Sequence, residues 1–318
     1  MTSVSVLIIN WNGRKWLHNC LSSILPQKMS NDFEVILIDN GSTDGSVGYV
    51  RSSFPQVNVV ELDHNYGFAE GNNRGLKHAK GEYLIFVNMD VEACSDWLEH
   101  LVRAADEHPE YQILCSMELP ETENNVIRSV NAFGDPVLGL KCQRDITESL
   151  FAYGSGFLIR KKWLGKLGYL FDPYYFCYAE DLELSLRTIL LGGRIGYVKK
   201  SKMYHPGGGS GLNAQTVNYL DTRNKLFTYY KLLTTQNFVR LCSASIAYRS
   251  IISLREKNAS GLLTLARAVI TFLFKHNRYA KYRREFSKTK RMDDKHLLRR
   301  LLYRSKIGSK LFKKFYRI

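Results

Sequence analysis

The sequence predicts an α/β protein: a doubly wound, mostly parallel sheet followed by a basic C-terminal helical region. Short apolar runs of strand length alternate with stretches of helical periodicity. Polar segments rich in Asn, Asp and Gly follow the first, second and fourth of these runs. Charge is also divided along the chain. Of 45 Lys/Arg and 30 Asp/Glu, residues 240–318 hold 22 and 4, leaving 23 and 26 in residues 1–239. The net charge of +15 therefore belongs to the C-terminal part, and the rest is near neutral.

Val4–Ile9 reads as a buried strand ending in Asn10-Trp11-Asn12-Gly13, then a helix with Leu17, Cys20, Leu21, Ile24 and Leu25 on one face, stopped by Pro26. Glu34–Ile38 is a second strand, ending in Asp39-Asn40-Gly41-Ser42. A third strand is expected at Val57–Leu62 and a helix over Ala69–Lys80. Tyr83–Val87, five apolar residues in a row, suits a central strand buried on both faces. A helix near Asp96–Glu107, a strand near Tyr111–Cys115, irregular chain over 116–150 and a strand at Tyr153–Ile159 follow. An aromatic stretch, Phe171–Ala179, precedes a helix from Asp181 to Leu191 and a strand at Ile195–Val198. From Asn218 the pattern is mostly helical.

Composition is that of an ordinary soluble protein, 45% hydrophobic and 24% charged. The six cysteines have no C-x-x-C spacing, so a zinc site or disulfide framework is not indicated and reduced core thiols are expected. The N-terminus lacks the basic and apolar regions of a signal peptide. The longest apolar stretch, Gly261–Phe274, is interrupted by Arg267 and falls short of the ~20 residues a spanning helix needs.

Open α/β sheets bind ligands beyond the carboxyl ends of their strands. Asp90, just past the Tyr83–Val87 run, is placed there to hold a hard cation or a ligand hydroxyl. The same residues also suit a turn. Neither G-x-G-x-x-G after a strand nor G-x-x-x-x-G-K-[ST] occurs, so the common dinucleotide and P-loop fingerprints are excluded.

Several segments, in order, resemble family 2 glycosyltransferases of the GT-A fold, and among them the rhamnosyltransferase-like group. They are Val6–Asn12, Ile38–Ser46, Asn65–Gly75, Phe86–Asp90, Gly154-Ser155-Gly156, Glu180–Arg187 and His205 with Ser210. The resemblance spans residues 3–230 and leaves the C-terminal part uncovered. It implies a catalytic domain over residues 1–230, while the charge and helical spacing of the remainder make 231–318 a basic amphipathic helical extension.

The resemblance further implies an inverting transferase moving a sugar from a nucleotide-diphosphate donor to a hydroxyl of a glycan or lipid-linked acceptor. dTDP-rhamnose is the first expectation for the donor and UDP-sugars the second. Asp39 would grip the donor nucleotide, with Asn10, Asn12, Asn73, Arg74 and Asn88 as further contacts. Asn88-Met89-Asp90 stands where the family has D-x-D, with Asn for the first Asp, so Asp90 would bind Mg²⁺ or Mn²⁺. His205 is a second candidate for the metal, and Arg223 for the diphosphate. Asp181 would be the base that takes the acceptor proton. Gly154, Tyr178 and Glu180 would meet the donor or acceptor sugar. Helix N-capping is the structural alternative for Glu180-Asp181, and a solvated helix face for Arg223.

In the C-terminal part, Leu297, Leu298, Leu301 and Leu302 recur at helical spacing among basic residues, as do Leu311, Phe312, Phe315 and Tyr316. Basic amphipathic helices suit an anionic membrane surface, which makes residues 240–318 the expected contact of a cytoplasmic, peripheral membrane enzyme. Packing on the catalytic body or a second subunit, as in an oligomer, competes with that reading, and nucleic acid is the least favoured partner. Two other function classes would leave different marks in the sequence. A sugar nucleotidyltransferase would carry a G-x-G-T-R-like loop where this chain has Asn10-Trp11-Asn12-Gly13-Arg14. An inactive glycan- or nucleic-acid-binding protein would be indifferent to Asp181→Asn.

Overall fold

The computed structural model describes residues 3–28, 32–119, 126–130, 136–141, 144–209 and 211–303. Cys142, Ser210 and the expected apolar face at Leu311–Tyr316 lie outside the described residues. The chain opens β1 (Val4–Asn10), α1 (Arg14–Ile24), β2 (Phe33–Asp39), α2 (Ser46–Ser53), β3 (Asn58–Glu61), α3 (Gly67–Leu76) and β4 (Tyr83–Asn88). It continues β5 (Glu92–Ala93), α4 (Trp97–Glu107), β6 (Ile113–Leu119), β7 (Val126–Val130), β8 (Pro136–Lys141), β9 (Ile146–Ser149), β10 (Gly156–Arg160), α5 (Lys161–Leu167) and α6 (Glu180–Leu190). The ten-residue β11 (Ile195–Tyr204) precedes five helices: α7 (Ala214–Leu232), α8 (Thr235–Arg255), α9 (Ala259–Lys275), α10 (Ala280–Thr289) and α11 (Asp294–Tyr303).

The central sheet has the order β3-β2-β1-β4-β10-β6-β11-β5, with β9 also paired to β11. β3, β2, β1 and β4 are mutually parallel, and β10 runs antiparallel between β4 and β6. Alternation along the strands sends side chains to two separate cores. Leu7, Ile36, Leu84 and Phe86 face a core shared with α3, α6 and α7, while Val6, Ile8, Val35 and Ile85 face α1 and α4. The layering explains why Tyr83–Val87 has no polar face: both sides of β4 are covered.

Two expectations change. The described residues of the stretch 116–150 are mostly strand: β6 runs on to Leu119, β7 and β8 form an antiparallel pair, and β9 joins the sheet. β7, β8 and β9 are short and edge-lying, and lack the long buried runs that mark the sheet's centre. Leu297 and Leu298 of α11 also depart from the membrane reading, and the side chains of Leu301 and Leu302 lie outside the described residues. Leu297 and Leu298 are buried in the same core as Tyr175 and Phe227, and Asp294 accepts from Thr234 N at 2.7 Å. Packing on the body has won there. Among the described residues no helix is long and apolar enough to cross a membrane.

Candidate active site

The carboxyl ends of β2, β1 and β4 lie side by side, as their pairing requires. Beyond them opens a cavity of about 580 Å³, and Asn88, Asp90, Gly154, Tyr178, Glu180, Asp181 and His205 all line it. Residues separated by more than a hundred positions thus converge where strand ends, the aromatic loop and the loop after β11 meet.

Asp90 is 6% exposed, and its Oδ1 lies 3.2 Å from His205 Nε2. The far ring nitrogen, Nδ1, is 3.0 Å from Glu118 Oε1 at the end of β6. Burial works against the imidazolium, but hydrogen bonds to Asp90 and Glu118 outweigh it and push His205 up to about 9. Glycine is required at 209, where an added Cβ would stand 2.9 Å from Asp90 Oδ2. Asn88 Nδ2 is 3.3 Å from His205 Nε2, while Asn88 Oδ1 is buried with no hydrogen-bond partner among the described residues. A carboxylate oxygen, an imidazole nitrogen that gives up its proton on binding and an unpartnered amide oxygen together fit a divalent cation. Glu118 would stand behind His205 and fix the ring. The described residues contain no ready-made group of three or more His, Cys, Asp or Glu for a metal, since Glu118 faces the far ring nitrogen.

Asp181, which also lines the cavity, sits in the first turn of α6. Its Oδ1 accepts from Leu182 N at 2.7 Å and its Oδ2 from Gly154 N at 3.3 Å. Burial pushes its carboxyl up to about 6; the two backbone donors pull the other way, and Asp221 adds to the rise. Glu180, more deeply buried and beside the Asp181 charge, is raised well above the ordinary carboxylate range. Its Oε2 has no partner among the described residues. Both carboxyls are thus pushed toward their neutral forms, Glu180 by burial and by the Asp181 charge, Asp181 by burial against two backbone donors. Neutral Glu180 can donate a hydrogen bond; ionised Asp181 can take a proton.

Six of the expected site residues do not line the cavity. Asp39, 3% exposed, is engaged by Asn10 Nδ2 at 2.7 Å and Ser42 N at 2.9 Å. Asn12 Oδ1 accepts from Thr43 N at 2.8 Å. These three residues cross-link the loops after β1 and β2, outside the cavity lining. Asn73 exchanges hydrogen bonds with the backbone of Phe171. Arg74 bonds Glu70 and lies 3.6 Å over the Tyr66 ring. Arg223 donates to the carbonyls of Tyr174 and Tyr175, so its guanidinium is committed inside the protein.

Other lining residues escaped the sequence reading. Trp11, Asn40 and Asn65 stand on strand-end loops beside residues that were singled out. Asn40 Nδ2 donates to Asn65 Oδ1 at 3.0 Å, tying two of these loops. Asp221, Lys225 and Arg249 come from α7 and α8, where periodicity announces a helix and nothing more. Asp221 Oδ2 pairs with Lys225 at 2.8 Å and Arg249 at 3.1 Å.

The architecture is a GT-A-like fold. A solved structure of GalNAc-T7 with UDP, GalNAc and Mn²⁺ superposes with a TM-score of 0.62 at 18% identity, over 76% of this chain and 50% of that one. The structure of Staphylococcus aureus TarS residues 1–349 with UDP gives 0.54 at 19% identity, over 77% and 70%. Residues 5–168 match the family model described as glycosyl transferase family 2, and the chain belongs to that family. An uncharacterized glycosyltransferase of Bacillus subtilis (strain 168), YfnE, is 34% identical over 116 residues, 36% of this chain and 29% of that relative. Against that relative and two others, the chain spans about a third of their length.

Proposed function

We propose that this protein is an inverting glycosyltransferase, moving a sugar from a nucleotide-diphosphate donor to the hydroxyl of a glycan or lipid-linked acceptor. The observation that carries the reading is the meeting of Asp181 with the Asp90–His205 pair across one cavity at the strand ends. Asp181, ionised at neutral pH, takes the proton as the acceptor oxygen attacks the anomeric carbon. The bond from that carbon to the diphosphate oxygen breaks, and the nucleoside diphosphate leaves with the electron pair. Asp90, His205 and Asn88 Oδ1 would hold Mg²⁺ or Mn²⁺, which when bound offsets the charge of the leaving diphosphate. Glu180 and Tyr178 meet the sugars, and Gly154 gives backbone to Asp181. Trp11, Asn40 and Asn65 present the nucleotide surface that Asn10, Asn12 and Asp39 support.

Thermal stabilisation by UDP, dTDP, UDP-sugars and dTDP-rhamnose, with and without Mn²⁺, tests the reading. The UDP complexes of the TarS neighbours support the uridine arm, and the resemblance of the sequence supports the dTDP-rhamnose arm. A metal-dependent rise in Tm with one base is expected. Asp90→Ala should weaken that nucleotide binding about tenfold to a hundredfold and remove its Mn²⁺ dependence. No rise with any nucleotide sinks the assignment.

We retain the division at residue 230 as our reading, although it falls inside α7 and the parts share one core. The C-terminal part also supports a peripheral, cytoplasmic-face membrane contact. α9 buries Leu265, Ala268 and Phe272 but exposes Leu263 (72%), Ile270, Leu273 and Phe274 (81%), and α8 exposes Ile251 and Leu254. Arg255, Lys257, Arg267 and Lys275 lie among them. An apolar stripe ringed by cations matches an anionic bilayer. Leu263→Asp with Phe274→Asp is expected to abolish co-sedimentation with phosphatidylglycerol vesicles while leaving Tm unchanged. Equal pelleting of variant and wild type would refute this face.

A further inference from the structure

Just before the Glu180-Asp181 pair, the chain takes a path that residues with side chains avoid. Phe176 has φ 65° and ψ −67°, and Cys177 N donates to Tyr175 O at 2.8 Å, a γ-turn of the rare, positive-φ hand. Tyr178 (φ 70°) and Ala179 (φ 61°) follow in the left-handed region. Conformations of this kind persist only where the surroundings over-determine them.

Two adjacent side chains of α7 supply that constraint. Asn224 is fully buried, and its Nδ2 donates to three consecutive-turn carbonyls: Tyr175 O at 3.0 Å, Cys177 O at 3.0 Å and Tyr178 O at 2.7 Å. Arg223 Nε donates to Asn224 Oδ1 at 2.9 Å, which fixes the end of the amide that faces the loop. The same guanidinium reaches Tyr174 O and Tyr175 O. From the other side Ala69 N donates to Phe176 O at 3.0 Å, and α3 comes so near that a Cβ on Gly67 would stand 2.4 Å from that oxygen. Neither Asn224 nor Arg223 lines the cavity.

We propose that Asn224, oriented by Arg223, is a positioning residue: it holds the left-handed turn Phe176–Ala179 that aims Asp181 and Glu180 into the cavity. The proposal rests on the transferase reading for its kinetic consequence, but its structural consequence can be measured without any turnover. A misplaced base costs about 10²-fold in rate, so Asn224→Ala should lower kcat by that order with donor KM little changed. Amide exchange at 176–183 should quicken while that of β1 and β4 stays protected. Ala179→Gly in the Asn224→Ala background should recover much of the lost kcat, because glycine takes the left-handed conformation unaided. A packing role would not be rescued in this way.

If wild type transfers sugar and folded Asn224→Ala keeps its kcat, the clamp is overturned and the transferase reading stands. If wild type transfers from no donor, that reading falls, and exchange still decides the clamp: faster exchange at 176–183 supports it, and unchanged exchange overturns it. Should Asn224→Ala fail to fold, Arg223→Lys serves in its place. It keeps the charge and loses the planar fork, and the same exchange readout applies with the same two outcomes.

Discussion

Asp181→Asn is expected to lower kcat for sugar transfer about 10³-fold, within the range that general bases contribute, while nucleotide binding is retained. The amide keeps one oxygen, for the Leu182 donor at 2.7 Å, gives up the longer bond from Gly154 N at 3.3 Å, and cannot take a proton at pH 7. The wild-type pH profile should carry the signature of the same group. A base must be ionised, so kcat/KM should fall tenfold per unit below about 6, where burial has placed Asp181.

Stability should move the opposite way. Unfolded, Asp181 titrates near the ordinary value of 3.8; folded, near 6. Between these values the native state holds the extra proton, so stability falls as pH rises from about 4 to 6 and stays lower above. Asp181→Asn removes that cost. Allowing for its partial solvent access, the variant should gain about 1–2 kcal/mol at pH 8 and nothing at pH 4. A variant that is both fully active and no more stable at pH 8 would end the assignment of Asp181 as a buried base.

Lys231→Met is expected to destabilise the fold by about 3–5 kcal/mol, the cost of stranding buried carboxylates. Lys231 Nζ is fully enclosed, 2.7 Å from Asp172 Oδ2 and 2.9 Å from Glu183 Oε1. The rings of Tyr169, Tyr175, Tyr279 and Tyr282 surround it at 5.0–5.3 Å. Glu183 also pairs with Arg187 at 2.8 Å and accepts from Tyr169 Oη at 2.6 Å. Burial alone would raise Glu183, yet Arg187 and Lys231 hold it below the ordinary carboxylate range. Its stabilising contribution is thus present at neutral pH and lost as pH falls through that lowered value. Urea unfolding at pH 7 measures the loss, and adding Asp172→Asn to Lys231→Met should recover part of it. An unchanged midpoint would show that these charges do not join α7, α6 and the C-terminal helices.

Much of the sheet was legible because its central strands are buried on both faces and so must be continuously apolar. β1, β2 and β4 announce themselves in this way, and the polar residues that end them, Asn10, Asp39 and Asn88, mark the ligand side. The edge strands β7, β8 and β9 carry no such constraint and were not visible. At the site, Asp90, His205 and Asp181 were candidates through the resemblance to family 2 glycosyltransferases, and the structure places all three on one cavity. The direction in which Asn73, Arg74 and Arg223 point could not be read, because a polar side chain on a helix serves a ligand or a neighbouring carbonyl equally well.

Taken alone, the sequence determined the alternating α/β plan, the strand ends where chemistry gathers and the split between a neutral body and a basic C-terminal part. These are properties of local patterning, written in apolar period and charge. Only the tertiary structure decided which carboxylates are buried and raised, which loop residues brace others, and that Leu297 and Leu298 face the core while Leu263 and Phe274 face outward. Such outcomes depend on desolvation and on partners brought together from distant positions, and no single segment of chain contains them.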